Sequence, residues 1–200
     1  GAMNNGSFFL DEGGASGNDY YFEGKIMEFL SFNRNLNEAQ KEIITNYFST
    51  KYNISVSNAH FDYQENFSYE LFGIGRQSSG HSHIISQRSG IIRMDNPGDA
   101  DNGDYQFIGH DNGSLDNWEN NEILYDSIRR IEREWRVGKT GNIGSVRLSI
   151  DSASLPGLPD HYQTFLLLID KDGDSDFTTG TVEMLKMEER FGEFVRISNV

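Results

Sequence analysis

The chain has 200 residues, the length of one full domain or of one domain with part of a neighbour. It carries 17 lysines and arginines against 31 aspartates and glutamates, which gives a formal net charge of −14. This charge opposes the attraction to phosphate that supplies most nucleic-acid affinity, so it argues against DNA, RNA and anionic membranes as partners. The absence of cysteine excludes disulfides, thiol nucleophiles and zinc–thiolate sites.

The first residues predict a piece of a larger protein, and the hydropathy predicts no membrane span. No stretch approaches the roughly 20 apolar residues that cross a bilayer, so we expect no membrane span in this segment. The start Gly1-Ala2-Met3 is typical of a protease-cleavage scar, and residues 1–19 are predicted to be this scar and a polar lead-in. We expect a monomeric module excised from a longer polypeptide.

The clearest helix signal begins at Asn37. Its side chain can cap the first turn, and Gln40 stands three residues later in the capping-box position. Five apolar or aromatic residues recur behind this cap at helical spacing, which predicts one amphipathic helix over 38–51. Its apolar stripe is interpreted as core packing that covers a sheet edge or joins two modules. The stripe consists of Ile43, Ile44, Tyr47, Phe48 and Tyr52.

Most of the remaining chain has strand character. The continuous apolar run 165–169 predicts a central strand that is covered on both faces. The predicted fold is therefore mainly β, an antiparallel β-sandwich of jellyroll or immunoglobulin-like type with one amphipathic helix near the N-terminus. The other strand predictions are 20–22, 26–30, 84–85, 91–92, 105–108, 146–150, 182–184 and 195–197.

One stretch fits two periodicities. Four apolar side chains between residues 124 and 135 have helical spacing, whereas residues 131–137 also alternate as in a strand. The glycine-containing turn at 138–142, followed by an alternating strand, favours a hairpin that starts near Ile131. A short helical turn is expected before it.

The most specific chemical signal follows the apolar run directly. Asp170, Asp172, Asp174 and Asp176 occupy every second position of one short loop. Such close carboxylates repel one another unless a cation lies among them, and Ca²⁺ takes about six to eight oxygen ligands. The loop is not a regular EF-hand, because the glycine of the sixth position and the glutamate of the twelfth are missing. We predict a Ca²⁺ site here, and the alternative is a solvated acidic turn.

Two further groups are weaker metal candidates. Residues 94–127 hold seven aspartates and two glutamates with no lysine or arginine, and the stretch 95–104 could wrap a second ion. A solvated loop is the favoured interpretation there. His81 and His83 lie on the same side of a predicted strand, but no third ligand can be assigned, so a surface pair is favoured.

The sequence contains no nucleophile elbow, phosphate-binding loop or HExxH helix. Carboxylate pairs that could hydrolyse glycosides are too numerous to select one pair. We therefore predict no catalytic residue, and a hydrolase remains the third-ranked class.

Several segments, taken in order, resemble modules of bacterial surface proteins. The segment YFEGKIMEFLSFNRNL at 21–36, with the helix ending at 50–54, resembles the last strands and closing helix of a laminin-G or concanavalin A-like jellyroll. Later segments resemble the β-sandwich module that often follows such a jellyroll in secreted or surface-anchored bacterial adhesins. These segments are FGIGR at 72–76, IGHDNG at 108–113, REWRV at 133–137, TGNIGSV at 140–146 and LLLID at 166–170.

The resemblance implies a division into 20–54, the end of the jellyroll, and 55–200, the sandwich module. It also implies extracellular or cell-surface display and a role in adhesion or as a structural spacer. The expected function is a calcium-binding module that meets a glycan or protein ligand on another surface. The alternative is a carbohydrate-binding accessory module of a polysaccharide-degrading enzyme, with exposed aromatic rings stacking on sugars.

Overall fold

The computed structural model describes residues 12–13, 19–20, 24–88, 91–162, 164–187, 189–191, 194–198 and 200. The chain forms two compact units, Gly1–Leu36 and Asn37–Val200. The expected tag scar and the predicted strand residues 21 and 22 lie outside the described part. The helix that the sequence groups with 20–54 belongs to the second unit.

Among its described residues, the first unit contains one short strand pair. Strands β1 (Glu12–Gly13) and β2 (Asp19–Tyr20) pair antiparallel. Residues 25–32 form neither helix nor strand, so the predicted strand at 26–30 is wrong. Its apolar composition is typical of strands, but Met27 and Phe29 are exposed.

The predicted helix is confirmed as α1 (Glu38–Tyr52). The Gln40 N–H donates to the Asn37 side chain over 2.9 Å, and the Asn37 N–H donates to the Gln40 side chain over 3.1 Å. At the other end, Asn53 adopts a left-handed conformation with φ 51°, a common way to stop a helix. The buried face includes Ile43 and Tyr47 of the predicted stripe, whereas Phe48 is only half-buried.

The second unit contains a short 3₁₀ helix, Ser152–Ser154, and eleven described strands. In chain order these strands are β3 (Tyr69–Ser78), β4 (His81–His83), β5 (Ile85–Arg88), β6 (Ile92–Asp95), β7 (Asp104–His110), β8 (Trp135–Thr140), β9 (Arg147–Asp151), β10 (Leu166–Asp170), β11 (Val182–Lys186), β12 (Glu189–Phe191) and β13 (Phe194–Ile197).

Two antiparallel sheets face each other, which confirms the β-sandwich. One has the order β4-β3-β7-β8, and the other has the order β12-β13-β9-β6-β5. The core lies between them, because alternate residues of each strand point inward. Phe72, Ile74 and Ile108 of the first sheet belong to one buried cluster with Met94 and Leu148 of the second.

Helix α1 covers the opposite face of the four-stranded sheet. Ile43 and Tyr47 of the helix form a second buried cluster with Tyr105 and Phe107 of β7. The ring of Phe107 lies over its cross-strand partner Gly73 so closely that an added Cβ would meet the ring. The helix therefore covers a sheet face rather than a sheet edge.

The prediction of a central strand at 165–169 is wrong. Strand β10 pairs only with β11 among the described strands, as a two-stranded sheet, and Leu166 is 40% exposed. An apolar run indicates that a strand packs against apolar side chains, but it does not specify how many strands pair with it.

The prediction of a hairpin starting near Ile131 is also wrong, although the strand character of Trp135 is confirmed. Strand β8 begins at Trp135 and pairs with β7, whereas the next strand, β9, pairs with β6 and β13 in the other sheet. The segment 141–146 thus crosses between the sheets instead of closing a turn. A hydrogen-bonded turn at 126–127 precedes β8, and no helix forms there.

Candidate metal centre

The acidic loop connects β10 to β11. The two strands end at the pair Asp170 and Val182, and the Lys171 N–H donates to the Thr181 carbonyl over 3.0 Å. Gly173, Ser175 and Gly180 all have positive φ, at 76°, 66° and 62°. These left-handed residues turn the backbone inward, and two of them are glycine because that conformation strains other residues.

Asp170 is the centre of the loop. Its Oδ1 accepts the N–H groups of Asp172 over 3.1 Å and Gly173 over 2.8 Å, and its Oδ2 accepts the Ser175 N–H over 2.9 Å. Partial burial raises the pKa of Asp170, but these hydrogen bonds outweigh burial and hold that pKa below its ordinary value. Asp170 is therefore ionised at neutral pH, with its carboxylate fixed in position.

The next two aspartates also serve as acceptors for the turn. Oδ2 of Asp172 accepts the Thr181 N–H over 3.3 Å. Asp174 accepts the Asp176 N–H over 2.9 Å and the Thr179 hydroxyl over 2.9 Å. Close contact with the Asp170 carboxyl group is the main cause that raises the pKa of Asp172. Proximity to Asp170 therefore opposes the ionisation of Asp172, as is expected for neighbouring carboxylates without a cation.

Three of the four predicted ligands come together. Asp170, Asp172 and Asp174 each offer a carboxylate oxygen, and these oxygens lie within 4.8 Å of one another. Asp176 does not join this group. Its Oδ1 accepts the Thr178 N–H over 2.8 Å and the Thr178 hydroxyl over 2.5 Å. Three carboxylates supply three to six of the about six to eight oxygens that Ca²⁺ requires, and water can complete the shell.

The sandwich itself helps to hold the loop. From β8, Nη1 of Arg136 donates to the Gly173 carbonyl over 3.1 Å. The guanidinium lies 4.5 Å from the ring centroid of Tyr63. A Cβ on Gly173 would collide with this guanidinium, so the glycine permits both the bend and the close approach.

A second contact joins the loop to Glu134. The Ser175 side chain hydrogen-bonds to Glu134, which also forms an ion pair with Arg130 over 2.8 Å. Burial is the largest influence on Glu134, and it raises the pKa of that carboxyl group above its ordinary value. The loop is thus anchored to the residues that flank the start of β8.

Sequence reasoning missed Arg136 and Glu134 as partners of the loop. Arg136 lies 37 residues before Gly173, and nothing near either residue signals the contact. The available signal was the alternation of charged residues with Trp135 and Val137, which marks one face of a strand but not what covers that face.

The second acidic stretch does not form a comparable cluster. Asp95 is buried within β6 and pairs with Arg147 over 2.6 Å and with Arg93 over 2.9 Å. Asp104 accepts the Asp101 N–H over 2.8 Å as an ordinary turn contact. Over residues 91–162, all of which are described, no three carboxylates or histidines meet at metal-binding spacing. The solvated-loop interpretation fits residues 96–103, whereas Asp95 is buried at the end of a strand and Asp104 begins the next strand.

The histidine pair also lacks a third ligand. His81 and His83 lie at the two ends of β4 and are both half-buried, on the same side of the strand as expected. Neither takes part in a cluster of three metal-ligating side chains in the part of the chain that the structure describes.

None of the described helices is long and apolar enough to cross a bilayer. Residues 40–199 match a protein family described as Domain of unknown function (DUF8202). Neither the curated proteins nor the solved structures contain a match to the chain. The matched range includes most of α1, both sheets and the whole acidic loop.

Proposed function

The chain belongs to the DUF8202 family, whose description assigns no activity, and we propose its function from its own residues. It is a non-catalytic calcium-binding β-sandwich module of a bacterial cell-surface or secreted adhesin-like protein. It binds a glycan or protein ligand on another surface or acts as a structural spacer. The observation that carries the proposal is the cluster of Asp170, Asp172 and Asp174 oxygens within 4.8 Å.

Calcium would act on the loop mainly by neutralising charge. Backbone N–H groups already fix the Asp170 carboxylate, while the pKa of Asp172 is raised by its contact with Asp170. A divalent cation among these oxygens replaces the repulsion by attraction. It therefore binds the folded loop more tightly than the unfolded chain and stabilises the module by mass action.

Isothermal titration calorimetry of the full chain with CaCl₂ tests the site. Asp172→Asn and Asp174→Asn each remove a charge but keep an oxygen acceptor for the turn. We expect each substitution to weaken calcium binding at least about tenfold, because ligand charge sets the affinity of such loops. The exposed Asp126→Asn is the matched control and should bind calcium as the parent does.

Two results would contradict this proposal. One is the absence of calcium-dependent heat in the parent chain, and the other is equal calcium affinity in all three variants. Either result would leave the loop as a solvated acidic turn that its internal hydrogen bonds stabilise.

The surface location is proposed from the sequence resemblance of the later segments, such as 72–76 and 108–113, to sandwich modules of bacterial surface proteins. The absence of cysteine is compatible with it, since bound ions replace disulfides in many bacterial extracellular modules. The module is proposed to be monomeric, which sedimentation velocity checks. It is also proposed to lack catalysis, and turnover on any member of a polysaccharide panel would contradict that assignment.

The alternative role is carbohydrate binding in an accessory module of a polysaccharide-degrading enzyme. The observation that favours it is Tyr69, which is 48% exposed and stacks on His110 with a centroid distance of 5.9 Å. A ring held in this way can stack on a sugar face. Binding to a defined sugar on a glycan array, lost in Tyr69→Ala, would select this role over the adhesin or spacer role.

A further inference from the structure

A shallow apolar depression lies between residues 123–128 and the β10–β11 hairpin. Leu124, Tyr125, Leu168, Phe177 and Met184 contribute to its lining. Leu124 is 56% exposed, Tyr125 is 51% exposed and Met184 is 41% exposed. Single exposed apolar side chains are normal, but a contiguous exposed group with a polar rim marks an interaction surface.

Specific contacts hold the two sides of this depression together. Ile123 forms an isolated parallel bridge with Phe177. The rings of Trp118 and Phe165 lie 6.2 Å apart, and the Arg130 guanidinium lies 5.4 Å from the Phe177 ring centroid. The depression is therefore a formed feature of the fold, and a ligand would not have to assemble it.

The two segments that build the depression are acidic in sequence, and we call their charged residues its rim. The two segments that build it, 116–130 and 164–187, contain nine aspartates and glutamates against four lysines and arginines. Two of those cations are already paired within the surface, Arg130 with Glu122 over 3.1 Å and Lys171 with Glu183 over 2.5 Å. Even with one calcium ion in the loop, the acidic groups outweigh the positive charges.

We propose that this depression is a docking surface for a protein segment that carries lysine or arginine beside aliphatic side chains. The aliphatic groups would pack on the exposed faces of Leu124 and Met184, and the cations would meet the acidic rim. The proposal rests on the ligand-binding role given above and names its partner class, but it does not depend on calcium binding.

Charge and chemistry favour this occupant over two others. A second copy of the chain would bring another net charge of −14 to an acidic surface, which opposes self-association. A glycan needs hydrogen-bonding groups beside its stacking ring, whereas the lining of this depression is made of apolar and aromatic residues.

Fluorescence anisotropy with two labelled peptides tests the proposal. One peptide alternates lysine with valine, and its control alternates glutamate with valine. We expect the full chain to bind only the lysine peptide, with an affinity that falls as salt rises because rim charges are screened. Leu124→Ser and Met184→Ser should each weaken binding about tenfold, as expected for central contacts. Ile84→Ser, at a side chain 54% exposed elsewhere, is the matched control.

Each other outcome overturns the proposal. Absence of lysine-peptide binding, equal binding of the glutamate peptide, or unchanged affinity in both serine variants would exclude the surface. A dimer in sedimentation that Leu124→Ser dissociates would assign the face to a second copy. Glycan binding that Tyr125→Ala removes, without peptide binding, would assign it to sugar. Calcium calorimetry of Leu124→Ser should match the parent, so the two proposals fail separately.

Discussion

At the scale of single residues, burial in the sandwich changes the pKa of His110. The ring is 3% exposed; its Nδ1 accepts the Asn112 N–H over 3.0 Å, and its Nε2 lies 3.0 Å from the Glu70 carboxylate. Since Nδ1 accepts, the neutral ring carries its hydrogen on Nε2 and donates it to Glu70. Burial is the largest influence, and it lowers the pKa of His110 below its ordinary value despite the neighbouring carboxylate.

This burial predicts a loss of stability in mild acid. Because the folded pKa of His110 is lowered, the unfolded chain takes up the proton at a higher pH than the folded chain does. The contribution of His110 to the unfolding free energy is therefore full above about pH 6.5 and falls as the pH drops toward the folded pKa. The slope is at most about 1.4 kcal/mol per pH unit for one proton. Urea denaturation between about pH 7.5 and pH 5 measures it.

His110→Gln should reduce the pH dependence of the unfolding free energy in that window, whatever it does to the stability itself. The exposed His161→Gln is the control and should keep the slope of the parent. A slope that is unchanged in His110→Gln would contradict the assignment.

Gly180 gives a second prediction at the residue scale. Its φ is +62°, and an added Cβ would collide with the Asp172 carboxylate. Gly180→Ala should therefore cost about 1–2 kcal/mol of stability through backbone strain and also displace a proposed calcium ligand. Gly80→Ala has the same strain, with φ +81° and open space around the new methyl group.

Thermal unfolding and calcium calorimetry separate these effects. Both alanine variants should lose a similar amount of stability, but only Gly180→Ala should also bind calcium more weakly. Equal calcium affinity in the two variants would show that the position of Asp172 does not matter to the ion.

At the scale of elements, the helix was predictable and the strand pairing was not. Both hydrogen bonds of the capping box join residues three positions apart, so their pattern is readable in the sequence. Strand β8 instead pairs with β7, and a loop of more than twenty residues separates the two. Pairing depends on distant strands that compete for the same edge, and local periodicity carries no information about that competition.

In the candidate metal centre, too, the local part was predictable from the sequence and the distant contacts were not. The alternate aspartates from Asp170 are a local pattern, and the structure brings three of them together. The supports from Arg136 and Glu134 come from another strand, so only the fold reveals them. The exposure of β10 also depends on which strands pair with it, and the apolar run does not specify those strands.

The capping box predicts a stability change at the start of α1. Asn37→Ala removes the acceptor of the Gln40 N–H and the donor to the Ser82 carbonyl, which lies 2.9 Å away. We expect a loss of about 1 kcal/mol in urea denaturation. Thr45→Ala, at an exposed position in the middle of α1, should change stability by less than about 0.7 kcal/mol and in the opposite direction. Equal losses in both variants would indicate that general helix content, and not the cap, sets the effect.

At the scale of the whole molecule, the net charge of −14 opposes compaction. Any salt screens this repulsion, since the screening length falls from about 30 Å at 0.01 M to about 10 Å at 0.1 M. We therefore expect NaCl to raise the melting temperature by a small amount. This effect does not require a binding site, so calcium must be compared with NaCl at equal ionic strength.

The proposed calcium site predicts a further increase above that matched salt effect. At a free calcium concentration about a hundred times its Kd, mass action adds about 2.7 kcal/mol, which corresponds to about 5–10 °C in a domain of this size. Differential scanning calorimetry with CaCl₂, and with NaCl of the same ionic strength, measures the excess. The double variant Asp172→Asn/Asp174→Asn should lose the calcium excess and retain the NaCl increment, because it removes the site but leaves twelve of the fourteen net charges. If CaCl₂ and NaCl stabilise the parent equally, the acidity acts only as a diffuse charge.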